Sequence, residues 1–245
     1  MKVKLLITNN MITKNQIKLI RSLSQKKNRK KYKLFVAEGS KVVDELLDSN
    51  LELDSIYSIE KKYETYDCFY KISTEKLSMI SNLKTPNNVL AVFKIPKPKD
   101  INFSKNIVAL ENISDPGNLG SIIRLCDWFA IDDLICSLDT VDCYNPKVIQ
   151  ATMGSISRVN ITYSDLNFLI KKSKNLVIAD LNGKPLNNYN FKKNQIIFFG
   201  NESEGISNHL KKTVSESIRI KKYGNKIDSL NVANSVAIFL SHLNN

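Results

Sequence analysis

Apolar positions along the chain follow two periods. Over residues 14–27 they recur at Ile17, Ile20 and Leu23, the spacing of a helix with a polar back. Leu34-Phe35-Val36-Ala37 predicts a short buried strand, and Val42, Val43, Leu46 and Leu47 predict a helix over residues 39–47. Strands follow at 55–59, 68–72 and 89–95, with a helix over 75–83 between the last two. Such alternation describes a small α/β domain. It closes at Pro96-Lys-Pro-Lys-Asp100, where two prolines cannot enter a sheet interior and mark a linker. Beyond the linker, strands are expected at 106–110, 134–137, 177–181, 196–200 and 217–220. Helices are expected at 119–129, 146–153, 165–172 and 230–243. Short apolar strands followed by helices imply a mostly parallel sheet covered on both faces, with ligands bound beyond the carboxyl ends of the strands. The expected domains are residues 1–96 and 101–245.

Composition narrows the class. Of 245 residues 42% are hydrophobic, enough for a buried core and against disorder. No run reaches the ~18 apolar residues of a membrane span, and the first ten residues lack the apolar core and cleavage site of a signal peptide. Cys68, Cys126, Cys136 and Cys143 show no metal-type spacing and only two histidines accompany them. The expectation is a cytoplasmic protein with reduced thiols and neither metal nor membrane. The net charge is +12, and it is unevenly spread. Residues 1–100 carry 20 basic and 11 acidic side chains, or +9, whereas residues 101–245 carry 16 and 13, or +3. Six of the eight residues 26–33 are basic: Lys26, Lys27, Arg29, Lys30, Lys31 and Lys33. Such a field suits nucleic acid or an anionic surface, although lysine-rich solubility explains charge alone equally well.

Three segments carry candidate chemistry. Asn112-Ile-Ser-Asp-Pro-Gly-Asn-Leu-Gly-Ser-Ile-Ile-Arg124 follows a strand and opens a helix. Its Asp-Pro-Gly is turn chemistry, Asn118 can cap the helix, and Arg124 lies further along it. Alone, the segment reads as a capped helix with a surface arginine. Ile196-Ile-Phe-Phe-Gly-Asn-Glu-Ser-Glu-Gly205 runs from a buried strand into a polar loop. Gly200 there permits close approach of a flat ligand, and Glu202 could orient a hydroxyl. Alone, this is a strand–loop junction. The third segment is Ile218-Arg219-Ile220 and then Asp228-Ser-Leu-Asn-Val-Ala-Asn-Ser-Val-Ala237, with Ser229 as the expected N-cap. Asn231 then falls inside the helix, where asparagine is a poor choice. It therefore reads as a site residue whose change to alanine should leave stability intact or raised.

Together, in this order and spacing, the three segments resemble the motifs of the SpoU (TrmH) family of RNA ribose methyltransferases, in the SPOUT superfamily. Tyr144-Asn-Pro-Lys-Val-Ile-Gln-Ala-Thr-Met-Gly154 is similar to that family's connecting segment. Residues 14–50 resemble its N-terminal substrate-binding domain, a ribosomal-protein-like RNA-binding fold. The resemblance implies an α/β methyltransferase domain threaded as a trefoil knot, beside a smaller α/β domain that binds RNA. It implies S-adenosylmethionine as cofactor, held by Leu181, Gly200, Ile220, Leu230 and Asn231. It places Asn118, Arg124, Glu202, Ser229 and Asn231 around the methyl group and the ribose 2′-hydroxyl, and it implies a homodimer. Arg124 matches the family's candidate base. A guanidinium is costly to neutralise, so phosphate clamping and hydroxyl orientation suit it better.

The expected substrate is ribosomal RNA in preference to transfer RNA. A transfer RNA methyltransferase and a non-catalytic RNA-binding homologue are the alternatives. A dinucleotide-binding enzyme is excluded because no G-x-G-x-x-G or P-loop follows a predicted strand. Two departures stand out. Ile218-Arg219-Ile220 occupies the place of the family's common Ile-Pro-Met, and Gln150 that of a frequent arginine.

Overall fold

A computed structural model of the chain describes residues 11–201 and 203–243. Two compact units emerge: Met1–Pro96 with Tyr144–Gly154, and Lys97–Cys143 with Ser155–Asn245. The 144–154 segment thus leaves the second unit and groups with the first.

In the first unit α1 (Lys14–Ser22) begins on a reciprocal cap. The Gln16 N–H donates to Thr13 Oγ1 at 3.2 Å, and the Thr13 N–H to Gln16 Oε1 at 2.8 Å. The basic run forms a helix of its own, α2 (Lys26–Tyr32), closed by Lys33 in the left-handed region. Then follow β1 (Leu34–Glu38), α3 (Ser40–Leu47), β2 (Leu53–Ser58), β3 (Phe69–Lys71), α4 (Thr74–Ile80) and β4 (Val89–Lys94). The sheet runs β1-β4-β2-β3, antiparallel except for β2 with β3. Every residue of β1 is buried because both of its faces are covered. Leu34 and Val36 join Ile20, Leu23, Leu77 and Leu90 on one side. Phe35, on the other, packs 5.7 Å from Phe93 and 4.9 Å from Tyr144 between ring centroids.

The second unit holds β5 (Ile107–Leu110), α5 (Pro116–Trp128) and β6 (Asp133–Cys136). The chain then visits the first unit as α6 (Pro146–Thr152) before returning through β7 (Asn160–Tyr163), α7 (Asn167–Lys172) and β8 (Leu176–Pro185). It ends with β9 (Ile196–Phe199), α8 (Asn208–Thr213), β10 (Ser217–Arg219) and α9 (Val232–Leu243). The six strands are all parallel, in the order β10-β8-β9-β5-β6-β7. Strand β9 shows how the sheet is covered. Phe198 enters a core with Ile107, Ile135, Leu169 and Leu210, while Phe199 points the other way, 5.2 Å from the Phe239 ring of α9. Among the described residues no helix is long and apolar enough to cross a membrane, and all four cysteines are free.

Two elements of the second unit lacked a pattern in the sequence. Strand β7 sits at the sheet edge with four half-exposed residues, and α8 has Leu210 as its one buried side chain. Strand β8 is also longer than the apolar run implied, because its second half pairs with β10 after a jump in register. Ser217 lies opposite Ile178, but the next residue, Ile218, lies opposite Lys184. Residues 179–183 therefore have no partner on β10. Gly183 is what lets the strands close again beyond this bulge. A Cβ there would fall 2.4 Å from the Ser217 carbonyl carbon and the Ile218 nitrogen. Both are backbone atoms that cannot turn aside.

Gly183→Ala should accordingly destabilise the protein by roughly 1–3 kcal/mol, seen by calorimetry as a melting temperature lowered by several degrees. Gly224→Ala is the control, since a Cβ there meets nothing within 4 Å, and it should melt as the parent does.

Candidate functional site

The bulge on β8 opens a cavity. Its volume is about 310 Å³, and its apolar surface comes from Ala179, Leu181, Ile218, Ile220 and Phe239. The opposite wall is the segment after β10, residues 220–230, which has no regular secondary structure. Among the described residues, positions 221–230 make no backbone–backbone hydrogen bond. Unpaired backbone N–H and C=O groups thus stand beside an apolar hollow, a donor and acceptor set that suits a flat heterocycle with a polar edge. Asp180 also reaches the cavity. Burial pushes its carboxyl up, but the Lys211 ammonium at 2.5 Å and the Asn182 N–H outweigh that and leave it below the usual carboxylate range.

Two helix starts meet beside this cavity wall. Helix α5 is capped by Asp115, whose Oδ1 accepts the Asn118 N–H at 2.8 Å, with Pro116 preset for the first turn. This replaces the expected cap: Asn118 is not the cap but the third residue of the helix. Its side chain is left to bond elsewhere, and Asn231 Nδ2 donates to Asn118 Oδ1 at 2.8 Å. Asn231 is itself the cap of α9. Its Oδ1 accepts the N–H of Ala233 at 2.9 Å and of Asn234 at 3.4 Å. The expectation that Ser229 caps this helix, with Asn231 inside it, is therefore corrected. The helix starts at Val232, and Ser229 is an exposed residue at the cavity rim. One side chain both ends a loop and ties α9 to α5.

The remaining candidates divide by position. Leu181, Ile220 and Leu230 line the cavity. Gly200 does not, and what approaches it is protein backbone. A Cβ at Gly200 would lie 2.2 Å from the Gly205 carbonyl carbon, the folded-back end of the polar loop. That loop is pinned by Asn201 Nδ2 donating to the Asn112 carbonyl at 2.8 Å, and by the Ser207 N–H donating to Glu111 Oε2 at 2.7 Å. Glu202 lies outside the described residues. Arg124 is exposed on α5, opposite the buried Leu119, Ile122, Ile123 and Cys126. Among the described residues its guanidinium has no hydrogen-bond or ion-pair partner. In the first unit Lys26, Lys27, Lys30, Lys31 and Lys33 are exposed. Arg29 is not: it is 2% exposed, and its Nη1 donates to the carbonyls of Leu23 at 2.7 Å and Ser24 at 2.8 Å. A buried guanidinium that satisfies the carbonyls ending α1 is structural, so the basic surface holds five of the six expected cations.

Asp180, Gly183, the capping role of Asp115 and the pinning role of Asn201 were not foreseen from the sequence. Asp115 was recoverable, because aspartate directly before proline is a signature of a cap followed by a first helical residue. Gly183 carried no signal, since the backbone it meets is 34 residues away in the chain.

Fold and site define an α/β protein with a cavity formed where two parallel strands part. Residues 105–241 match the model of the SpoU rRNA Methylase family, and residues 14–91 that of the MRM3-like substrate binding domain. The chain belongs to the SpoU rRNA methylase family. It is 28% identical over 241 residues to the 23S rRNA (guanosine(2553)-2′-O)-methyltransferase RlmP of Bacillus subtilis, covering 94% of this chain and 96% of that one. A proposed RNA methyltransferase of the TrmH family from Porphyromonas gingivalis superposes with a TM-score of 0.87 at 28% identity, over 96% of this chain and 98% of that one. An AdoMet-bound rRNA methyltransferase from Sinorhizobium meliloti superposes with a TM-score of 0.85 at 26% identity, over 96% and 97%.

The capping geometry reverses the stability expectation for Asn231. Asn231→Ala should cost about 1 kcal/mol, the usual loss at a cap, and lower the melting temperature by a few degrees. Asn231→Asp keeps the two accepted N–H bonds and removes the donor to Asn118, so it should melt close to the parent while activity falls. Equal melting of the alanine variant and the parent would return Asn231 to the helix interior.

Proposed function

We propose that the protein transfers the methyl group of S-adenosylmethionine to a ribose 2′-hydroxyl of RNA, and that this RNA is ribosomal. The observation that carries the reading is the cavity between the β8 bulge and the unpaired backbone of residues 221–230, with the Asn118–Asn231 pair at the foot of that segment. A hollow of about 310 Å³ lies at the lower end of small-ligand sites. Its apolar surface suits the flat adenine, and its backbone groups suit the polar edge of that base. Leu181, Ile220 and Leu230 are the residues we assign to the cofactor, with Gly200 shaping the loop next to it. Family membership and the likeness to an AdoMet-bound rRNA methyltransferase support the same assignment.

The cofactor, when bound, supplies a methyl group already activated by its sulfonium. What the protein must add is position. Asn118 and Asn231 hold each other's amides and present a fixed polar edge at the two helix starts. Ser229, exposed at the rim, can accept or donate to the ribose. Arg124 has a planar guanidinium, unengaged among the described residues, that can take two phosphate oxygens at once and set the nucleotide's orientation. We assign Glu202 to the same loop-borne set. The five exposed lysines of residues 26–33 supply sequence-independent grip on the RNA backbone. The ribosomal preference rests on the relative that spans nearly the whole chain and on the substrate-binding match. Four free cysteines, three of them buried, suit the cytoplasm.

Assembly as a homodimer is part of the same reading. Trp128, 82% exposed on α5, and Ile238, 39% exposed on α9, are large apolar groups open on the two helices that the site ties together. Sedimentation at micromolar concentration should give twice 27.8 kDa; a clean monomer would remove the dimer from this account.

Arg124 separates positioning from cofactor binding. Arg124→Ala should bind S-adenosylmethionine as the parent does by calorimetry, and should lose single-turnover methyl transfer to RNA by on the order of a hundredfold or more. Arg124→Lys should retain part of the rate, because a point charge still attracts phosphate. Methylation by the alanine variant at the parent rate rules Arg124 out of the reaction.

A further inference from the structure

The wall of the cavity carries more charge than cofactor binding requires. Residues 219–226 read Arg-Ile-Lys-Lys-Tyr-Gly-Asn-Lys, with four cations and no acid, out of the 16 basic residues of positions 101–245. Arg219 stands where the family resemblance calls for proline, so one of the four is a departure from that pattern. All four cations are exposed. The ion pairs on this unit's surface go instead to Lys105, Arg158, Lys184 and Lys211. Among the described residues Arg219, Lys222 and Lys226 have no partner, and Lys221 has only the ring of Tyr223, its Nζ 5.0 Å from the centroid.

Tyr223 is 84% exposed at the tip of this segment. One ligand matches both the charge and the ring: a strand of RNA, whose phosphates pair with the cations and whose unstacked bases stack on the ring. The basic helix α2 shows the same pairing, with Lys31 Nζ 5.0 Å from the ring of the exposed Tyr32.

We propose that residues 219–226 form an RNA-binding lip in the methyltransferase unit itself. Arg219, Lys221, Lys222 and Lys226 follow the phosphates, and Tyr223 stacks on a base flanking the nucleotide offered to the cavity. The inference rests on the RNA-methyltransferase reading and deepens it, because it specifies single-stranded RNA. A base can stack on Tyr223 only when it is free of its neighbours, and a duplex buries those faces.

The test uses full-length protein and a fluorescein-labelled single-stranded RNA of about twenty nucleotides, long enough to span a typical single-strand site, together with its duplex. Anisotropy is followed across salt concentration. The combined variant Lys221→Ala, Lys222→Ala and Lys226→Ala should flatten the plot of log affinity against log salt by about two, at ~0.7 per phosphate on a single strand. Its affinity for the single strand should fall roughly tenfold or more. Tyr223→Ala should weaken single-strand binding by about fivefold or more without changing that slope. Tyr223→Phe should match the parent, and duplex binding should barely respond to either tyrosine change. Calorimetric S-adenosylmethionine affinity should hold throughout. Unchanged RNA affinity and slope in the lysine variant would falsify the lip. So would a loss of cofactor affinity with RNA binding intact, which assigns the cations to the cofactor, or a change of oligomeric state that accounts for the Tyr223→Ala result. Failure of the parent protein to bind either RNA instead overturns the broader functional reading, so the two failures are distinguishable.

Discussion

The close approach of β8 and β10 at Gly183 is the constraint on which the rest of the site depends. Two parallel strands that paired throughout would leave no space between them. Here the pairing skips from Ile178 to Lys184 across a single step of β10, and the skipped residues 179–183 stand aside. The strands can resume contact only because position 183 has no side chain to separate Ser217 from its partner. The hollow next to Leu181 is the direct result. The chain must then leave β10 at Ile220 facing that hollow, and its backbone, released from any ladder, becomes the opposite wall.

A loop with so little internal pairing needs a fixed end. Asn231 supplies it through three hydrogen bonds: two accepted from the first turn of α9 and one donated to Asn118 on α5. Phe239 fixes the same helix further along by packing on Phe199 of β9. The cavity wall is therefore held at both ends and left unengaged in the middle. That division leaves backbone groups open to the cavity and exposed side chains at its rim.

Charge is allocated by the same logic of satisfied and unsatisfied groups. Arg29 and Asp180 are ionic, yet both are engaged, one with helix-end carbonyls and the other with Lys211. Removing either partner would strand a charge with poor access to water. Arg124 and the cations of residues 219–226 are exposed, and they cost little in the free protein. They are available to an anionic polymer, as are the exposed lysines of residues 26–33.

Periodicity in the sequence determined most of the architecture. The apolar runs of β1, β4, β5 and β9 and the helical spacing of α3 and α9 were legible because burial on a regular element imposes a regular pattern. Asn118, Arg124, Ser229 and Asn231 stood out through their resemblance to the family's motifs, and the structure brings two of them, Asn118 and Asn231, into contact. The sequence did not reveal β7 or α8, which bury too little to leave a pattern. It also did not reveal which asparagine caps which helix, because capping depends on where the first turn begins. Tertiary structure alone decided that Arg29 turns inward, that Gly200 and Gly183 face backbone, and that Asn118 and Asn231 share a hydrogen bond. Local composition reports what a residue can do within its own turn or strand. Contacts between positions 113 residues apart, such as that asparagine pair, exist only after the sheet has brought the two segments together.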